Sequence, residues 1–183
     1  MHPAVFLDRD GVIIENRASY VLDWSDVAFY PQALDALAKA RASAYKFVIV
    51  TNQSAVGRGM MTLDKADELN RQLVAHIERA GGRIDGVFMC PHAPETSCEC
   101  RKPEAGLIIQ AAEKLSLDLS RSILIGDALS DLLAGQAAGV NRTAMVLTGR
   151  GASQARHPRP KYLKPFVTYN TLADALADLL ERN

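Results

Sequence analysis

Ala4-Val5-Phe6-Leu7-Asp8-Arg9-Asp10-Gly11-Val12 is an apolar run that ends in two carboxylates two residues apart, followed by a glycine. The first four residues read as a buried strand. Side chains alternate faces along a strand, so Asp8 and Asp10 meet one ligand only if the chain turns, and Gly11 suits such a turn. Carboxylates held close repel unless a cation or a shared proton relieves them. The pair therefore predicts a metal-assisted site with one Asp as nucleophile and the other as proton carrier. Taken alone it also fits two solvated loop aspartates, so the rest of the chain decides.

Further short β-branched runs lie at 47–50, 87–89, 123–125 and 144–147, each bounded by Gly, Asp, Asn, Thr or Pro. Helical patterns fall between them. Residues 31–44 open with Pro31 and carry Leu34, Leu37 and Ala38; residues 63–80 place Leu69, Leu73, Val74 and Ile77 on one face and stop at Gly81-Gly82. Others fit 106–115, 129–138 before Gly139, and 171–181. Strand and helix in alternation predict an α/β fold, a Rossmann-like doubly wound parallel sheet with ligands at the carboxyl ends of the strands. At 183 residues, 48% hydrophobic and 23% charged, the expectation is one domain over 1–183.

Charge and targeting exclude other classes. Lys plus Arg and Asp plus Glu both total 21, which argues against a nucleic-acid or membrane-surface partner. No apolar stretch approaches the roughly 20 residues needed to span a bilayer, and no charged leader precedes an apolar segment. A cytoplasmic monomer is expected. One basic segment stands out: between Leu132 and Ala173 there are six Lys or Arg and no acid, a solvated loop or an element that steers an anion.

If the sheet is parallel, polar residues should gather just after each strand. After the second run comes Thr51-Asn52-Gln53-Ser54, with hydroxyl, amide and backbone donors suited to phosphate oxygens. Arg101-Lys102-Pro103 follows the third, and Gly126-Asp127-Ala128-Leu129-Ser130-Asp131 the fourth. Thr51 or Asp127 alone fits a cap, and Lys102 alone a solvated lysine. Together, the strand ends are far harder to read as incidental.

Three cysteines within an eleven-residue window argue against a disulfide framework. Cys90, His92, Cys98 and Cys100 instead match a closed tetrahedral Zn²⁺ site with no open position for a catalytic water. Its role would be structural, with the metal supplying much of the folding energy of the loop at 90–104. Buried thiols or a redox pair at Cys98 and Cys100 are the alternatives. Arg101 and Lys102 follow the last ligand, so zinc would aim two cations at the Asp8 site.

At these residues the chain resembles the haloacid dehalogenase-like phosphohydrolases across nearly its whole length. Asp8-Arg9-Asp10-Gly11-Val12, Thr51-Asn52-Gln53, Lys102, and Gly126-Asp127 with Asp131 look like that superfamily's four motifs. Cys90-Pro91-His92 with Cys98-Glu99-Cys100-Arg101-Lys102-Pro103 narrows the likeness to the D-glycero-D-manno-heptose 1,7-bisphosphate phosphatases and their sister group, the histidinol-phosphate phosphatases. The resemblance implies a catalytic set of Asp8, Asp10, Thr51 and Lys102. Asp8 would form an aspartyl phosphate, Asp10 would protonate the leaving oxygen and then activate water, and Thr51 and Lys102 would hold equatorial phosphoryl oxygens. It also implies Mg²⁺ on the Asp8 carboxylate, the Asp10 carbonyl and the Asp127 carboxylate, all hard oxygens, with Asp131 orienting Lys102 or a metal-bound water.

Only 42 residues separate Asp8 from Thr51 and 50 separate Thr51 from Lys102, and both intervals are already filled by strand and helix patterns. The fold is therefore expected to be capless. Substrate contacts are expected from Asn16, Ser19 and Tyr20, from Asn52, Gln53, Ser54 and Arg58, from Arg101, and from Arg150. Arg58, between two glycines, also reads as a solvated turn arginine. Residues 51–59, 126–131 and 146–149 resemble the heptose group more, although Ala128 stands where some heptose enzymes carry a substrate-contacting lysine. Histidinol phosphate is the alternative substrate. A polynucleotide 3′-phosphatase and a non-catalytic zinc-stabilised binding module are the remaining readings.

Overall fold

The computed structural model describes residues 1–181. Six parallel strands form one sheet: β1 (Ala4–Leu7), β2 (Lys46–Asn52), β3 (Gly86–Cys90), β4 (Ile123–Gly126), β5 (Arg142–Val146) and β6 (Val167–Tyr169), in the order β3-β2-β1-β4-β5-β6. The main helices are α1 (Pro31–Lys39), α3 (Leu63–Arg79), α4 (Gly106–Leu115), α5 (Leu129–Ala138) and α7 (Leu172–Glu181). Two single-turn helices, α2 (Ser54–Gly57) and α6 (Gly151–Gln154), follow β2 and β5.

Strand alternation explains why both faces are covered. Val5 and Leu7, Phe47 and Ile49, and Ile123 and Ile125 join one buried cluster with α1, α3 and α7. Their neighbours Ala4, Phe6, Val48, Val50 and Leu124 join the other, with α4 and α5. A near-continuous apolar run such as β1 is what a strand buried on both faces requires. Leu7 pairs with Ile49 on one side and Ile125 on the other. Chain order reverses about β1, so the ends of β1 and β4 form the switch point at which open parallel sheets bind ligands.

Four expectations need correction. α1 ends at Lys39, and Ala40–Ala42 tighten into a 3₁₀ turn, so the helix does not reach Ala44. β5 begins two residues earlier than the apolar run and stops at Val146. β6 lies inside the basic segment read as loop, and neither single-turn helix had a pattern to announce it. Between Asp8 and Lys102 the described residues hold only α1–α3, β2, β3 and short turns, with no inserted domain. Among the described residues no helix is long and apolar enough to cross a membrane.

Candidate active site

The residues after β1, β2 and β4, and those of the loop after β3, converge on a cavity of about 520 Å³ lined by Asp8, Asp10, Asn52, Lys102, Asp131 and Arg150 among others. Asp8 leaves β1 with its amide bonded to the Ile125 carbonyl at 3.1 Å, which holds it level with β4. Gly11 makes the turn at φ +89°, and a Cβ there would lie 2.1 Å from Asp127 Oδ2. Only glycine lets the backbone pass so close to that carboxylate.

Lys102 is the buried ammonium of the site. Its Nζ lies 2.7 Å from Asp8 Oδ1, 2.6 Å from Asp131 Oδ1 and 2.8 Å from the Val50 carbonyl, which accounts for all three ammonium protons. Its backbone is clamped by Asn52, whose amide donates to Lys102 O at 3.0 Å and accepts from Lys102 N at 3.1 Å. Asn52 lines the cavity, and one N–H and the oxygen of its amide hold the lysine. Asp131 also accepts from the Ala128 amide at 3.0 Å, which holds its carboxylate against Lys102.

Asp127 is fully buried and meets Asn16 Nδ2 at 2.7 Å, the Arg150 amide at 2.8 Å and the Arg150 guanidinium at 3.2 Å. Three carboxylates, Asp8, Asp127 and Asp131, bring oxygens within 4.8 Å of one another. Burial, then Asp131, Asp127 and Asp10, push Asp8 up to about 7 against the opposing pull of Lys102. Burial and Asp131 likewise raise Asp127, opposed by Arg150. Burial alone would lower Lys102, but Asp131 and Asp8 raise it, so it stays charged. A cluster of buried hard oxygens with negative charge in excess of the buried ammonium is a fitting site for a divalent hard cation.

Cys90, His92, Cys98 and Cys100 converge at the end of β3. Five of their mutual Sγ and Nδ1 separations are 3.1, 3.3, 3.5, 3.7 and 3.8 Å. Tetrahedral Zn²⁺ with its usual bond lengths would place such ligands about 3.8 Å apart for S···S and about 3.5 Å for S···N. The group could therefore hold zinc, with Nδ1 as the imidazole ligand. Without a cation, burial pushes Cys100 up to about 12; a metal that binds thiolates reverses that. The loop is tied to the site through Arg101, whose Nη1 donates to Ser54 Oγ at 2.8 Å and to the His92 carbonyl at 3.2 Å. Removing zinc is expected to raise amide exchange across residues 90–104 and lower the phosphatase rate. Full activity in protein shown by elemental analysis to be zinc-free would contradict this.

Most expected site residues come together. Asp8, Asp10, Asn16, Ser19, Tyr20, Asn52, Ser54, Arg101 and Lys102 line the cavity. Thr51 and Gln53 are buried and not among the lining residues, with Gln53 Nε2 donating to Thr51 Oγ1 at 2.8 Å. Arg58 is not among the lining residues: its guanidinium is paired with exposed Glu95 at 2.8 Å, which returns it to the surface-turn alternative. Two contributors escaped the sequence reading. Thr148 Oγ1 donates to the Gly11 carbonyl at 2.6 Å and steadies the Asp8 loop. Arg9, inside the first motif, is almost fully buried beside Asp10.

This arrangement, two aspartates after the first strand, a buried lysine and an acidic fourth strand end, defines a haloacid dehalogenase-like phosphatase. A HAD-hydrolase-like family model matches residues 99–175. The chain is 34% identical over 182 residues to the D-glycero-beta-D-manno-heptose-1,7-bisphosphate 7-phosphatase of Neisseria meningitidis, covering 98% of this chain and 95% of that one. It is 39% identical over 145 residues to the enzyme of the same name from Helicobacter pylori, covering 79% and 83%. The crystal structure of D,D-heptose 1,7-bisphosphate phosphatase from B. bronchiseptica, complexed with magnesium and phosphate, superposes with a TM-score of 0.90 at 30% identity and covers 99% of both chains. The chain belongs to the D-glycero-beta-D-manno-heptose-1,7-bisphosphate 7-phosphatase family.

Proposed function

We propose that this phosphatase removes the 7-phosphate of D-glycero-beta-D-manno-heptose 1,7-bisphosphate, with Asp8 as nucleophile and Asp10 as the proton carrier. The observation that carries the site assignment is the position of Asp8 at the switch point, 2.7 Å from a lysine held on three sides. The substrate assignment rests on the relatives named above and on a wide, capless cavity flanked by Arg101 and Arg150.

Asp8 presents a carboxylate oxygen to phosphorus in line with the departing sugar oxygen. Lys102 stands beside that carboxylate, where its charge opposes the negative charge gathering on the equatorial phosphoryl oxygens. Asp10 gives its proton to the leaving oxygen, and as a carboxylate it then takes a proton from the water that hydrolyses the aspartyl phosphate. The Asp8 and Asp127 carboxylates and the Asp10 carbonyl would hold Mg²⁺. When bound, that ion supplies charge compensation for phosphate and carboxylates together. Arg101, steadied by Ser54, and Arg150 offer two guanidiniums to the remote phosphate.

The raised Asp8 makes metal binding depend on pH. Its ordinary unfolded value is about 3.9, so without magnesium the folded chain holds a proton that the unfolded chain releases. That contribution to stability is present below about pH 4 and is lost as pH rises through about 7. Mg²⁺ needs the ionised carboxylate. The rise in Tm on adding Mg²⁺ is therefore expected to be larger at about pH 8 than at about pH 5.5; equal shifts would contradict the assignment.

Initial rates of phosphate release from the two heptose 1,7-bisphosphate anomers, histidinol phosphate and a 3′-phosphorylated oligonucleotide test the substrate. The beta anomer is expected to give the highest kcat/KM. A preference for histidinol phosphate would move the chain to the sister activity, and no release with magnesium present would revive a binding role.

A further inference from the structure

We propose that Arg9 is a positioning residue that fixes the Asp10 carboxylate so that Oδ1, and not Oδ2, is the atom that carries the proton. This rests on the reading of Asp10 as proton carrier.

Arg9 is 1% exposed and among the largest fully buried side chains of the protein. A buried guanidinium is costly unless its charge and its donors are matched. Here Asp10, Gln53 and Asn70 take the donors, and the Asp10 carboxylate balances the charge in the ionised form left by proton transfer. Arg9 Nε donates to Asp10 Oδ2 at 3.0 Å and Nη2 donates to Oδ1 at 3.2 Å, a side-on fork against the carboxylate. Nη2 also donates to Gln53 Oε1 at 2.9 Å, and Gln53 Nε2 returns to Asp10 Oδ2 at 3.0 Å. The three side chains thus close a ring. On its outer side Arg9 Nη1 donates to Asn70 Oδ1 at 2.9 Å, and Asn70 is itself buried on α3.

The count of lone pairs selects the atom. Each carboxylate oxygen accepts about two hydrogen bonds. Oδ2 already accepts from Arg9 and Gln53, whereas Oδ1 accepts only the longer of the two Arg9 bonds, and Asp10 lines the cavity with 22% of its side chain exposed. As Asp8 forms its bond to phosphorus, the electron pair of the breaking P–O bond passes to the sugar oxygen. The Oδ1–H bond of Asp10 breaks, its proton goes to that oxygen, and its electron pair remains on the carboxylate. Rotation of the carboxylate would bring Oδ2 forward instead, and the Arg9–Gln53 ring resists that rotation. A purely structural role for Arg9 would act on folding and leave no trace of leaving-group chemistry.

The test compares kcat/KM for p-nitrophenyl phosphate, whose phenolate departs without a proton, with that for propyl phosphate, whose alkoxide needs one. This parameter covers steps only through departure of the leaving group, so water activation by Asp10 does not enter. Asp10→Asn, Arg9→Met and Asn70→Ala are measured with the native enzyme. Asp10→Asn is expected to lose about 100-fold more on the alkyl than on the aryl substrate. Arg9→Met is expected to lose about 30-fold more, and Asn70→Ala, remote from the cavity, about 3-fold more. If Arg9→Met does not fold, Asn70→Ala decides. Equal losses on both substrates in the Arg9 and Asn70 variants, beside a selective loss in Asp10→Asn, would overturn the inference alone. No selective loss in Asp10→Asn would overturn the reading of Asp10 and the inference with it.

Discussion

Asp8→Asn is expected to lose turnover by at least about 10⁴-fold, the scale on which removal of an enzyme nucleophile is felt, while the variant melts at or above the native temperature in magnesium-free buffer. An amide nitrogen or oxygen cannot replace the carboxylate that attacks phosphorus. The stability half of the prediction follows from charge. Asp8 lies among Asp127, Asp131 and Asp10, and its raised protonation equilibrium reflects burial first and those three carboxylates after it. Neutralising it relieves that repulsion. Lys102 keeps Asp131 and the Val50 carbonyl, so no buried cation is orphaned. Zinc content should be unchanged. Substantial phosphatase activity in this variant would overturn Asp8 as nucleophile, and a large fall in Tm would contradict the charge argument.

Lys102→Met is expected to act in both columns, on rate and on fold. Methionine approximates the volume but removes the ammonium from between Asp8 and Asp131, which sit 2.7 and 2.6 Å from it. Breaking a buried ion pair from one side costs about 3–5 kcal/mol because a charge is left without a partner. Loss of a fixed charge beside the developing negative charge costs about 10²–10³ in kcat. The two effects separate in the double variant Lys102→Met/Asp131→Asn. There the orphaned carboxylate is gone and part of the stability should return, whereas the rate should not. Urea unfolding in magnesium-free buffer measures the first, and steady-state rates with saturating magnesium the second. A double variant no more stable than Lys102→Met would show that Asp131 does not carry the penalty.

The parts of this site that were legible in the sequence are those in which one short segment brings its own chemistry to a strand end. Asp8 and Asp10 follow four apolar residues, Asp127 follows Ile123-Leu124-Ile125, and four zinc-type ligands crowd eleven positions, so their meeting follows once the sheet is parallel. α4 and α5 appear with the expected bounds because each is ten residues long, enough for helical periodicity to show. β6 has three residues, two of them exposed, at the sheet edge, and α2 and α6 have four each. A single helical turn is too short to show periodicity, and an exposed edge strand lacks the apolar run that marks β1 and β4. The job of Arg9 was equally invisible, since it depends on Gln53 and Asn70, which lie 44 and 61 residues away. Asn52 reads as a phosphate donor, and that it also clamps the backbone of a lysine 50 residues on does not show in the sequence. Local chemistry marks which strand end matters, but pairings of that range exist only after the sheet has assembled.

The most direct test of the whole account is a ³¹P NMR time course with beta-heptose 1,7-bisphosphate, the purified chain and magnesium. The C7 phosphomonoester signal is expected to be replaced by inorganic phosphate while the anomeric phosphate signal persists. Loss of the anomeric phosphate first, or a spectrum unchanged over a period in which the enzyme hydrolyses p-nitrophenyl phosphate, would contradict it.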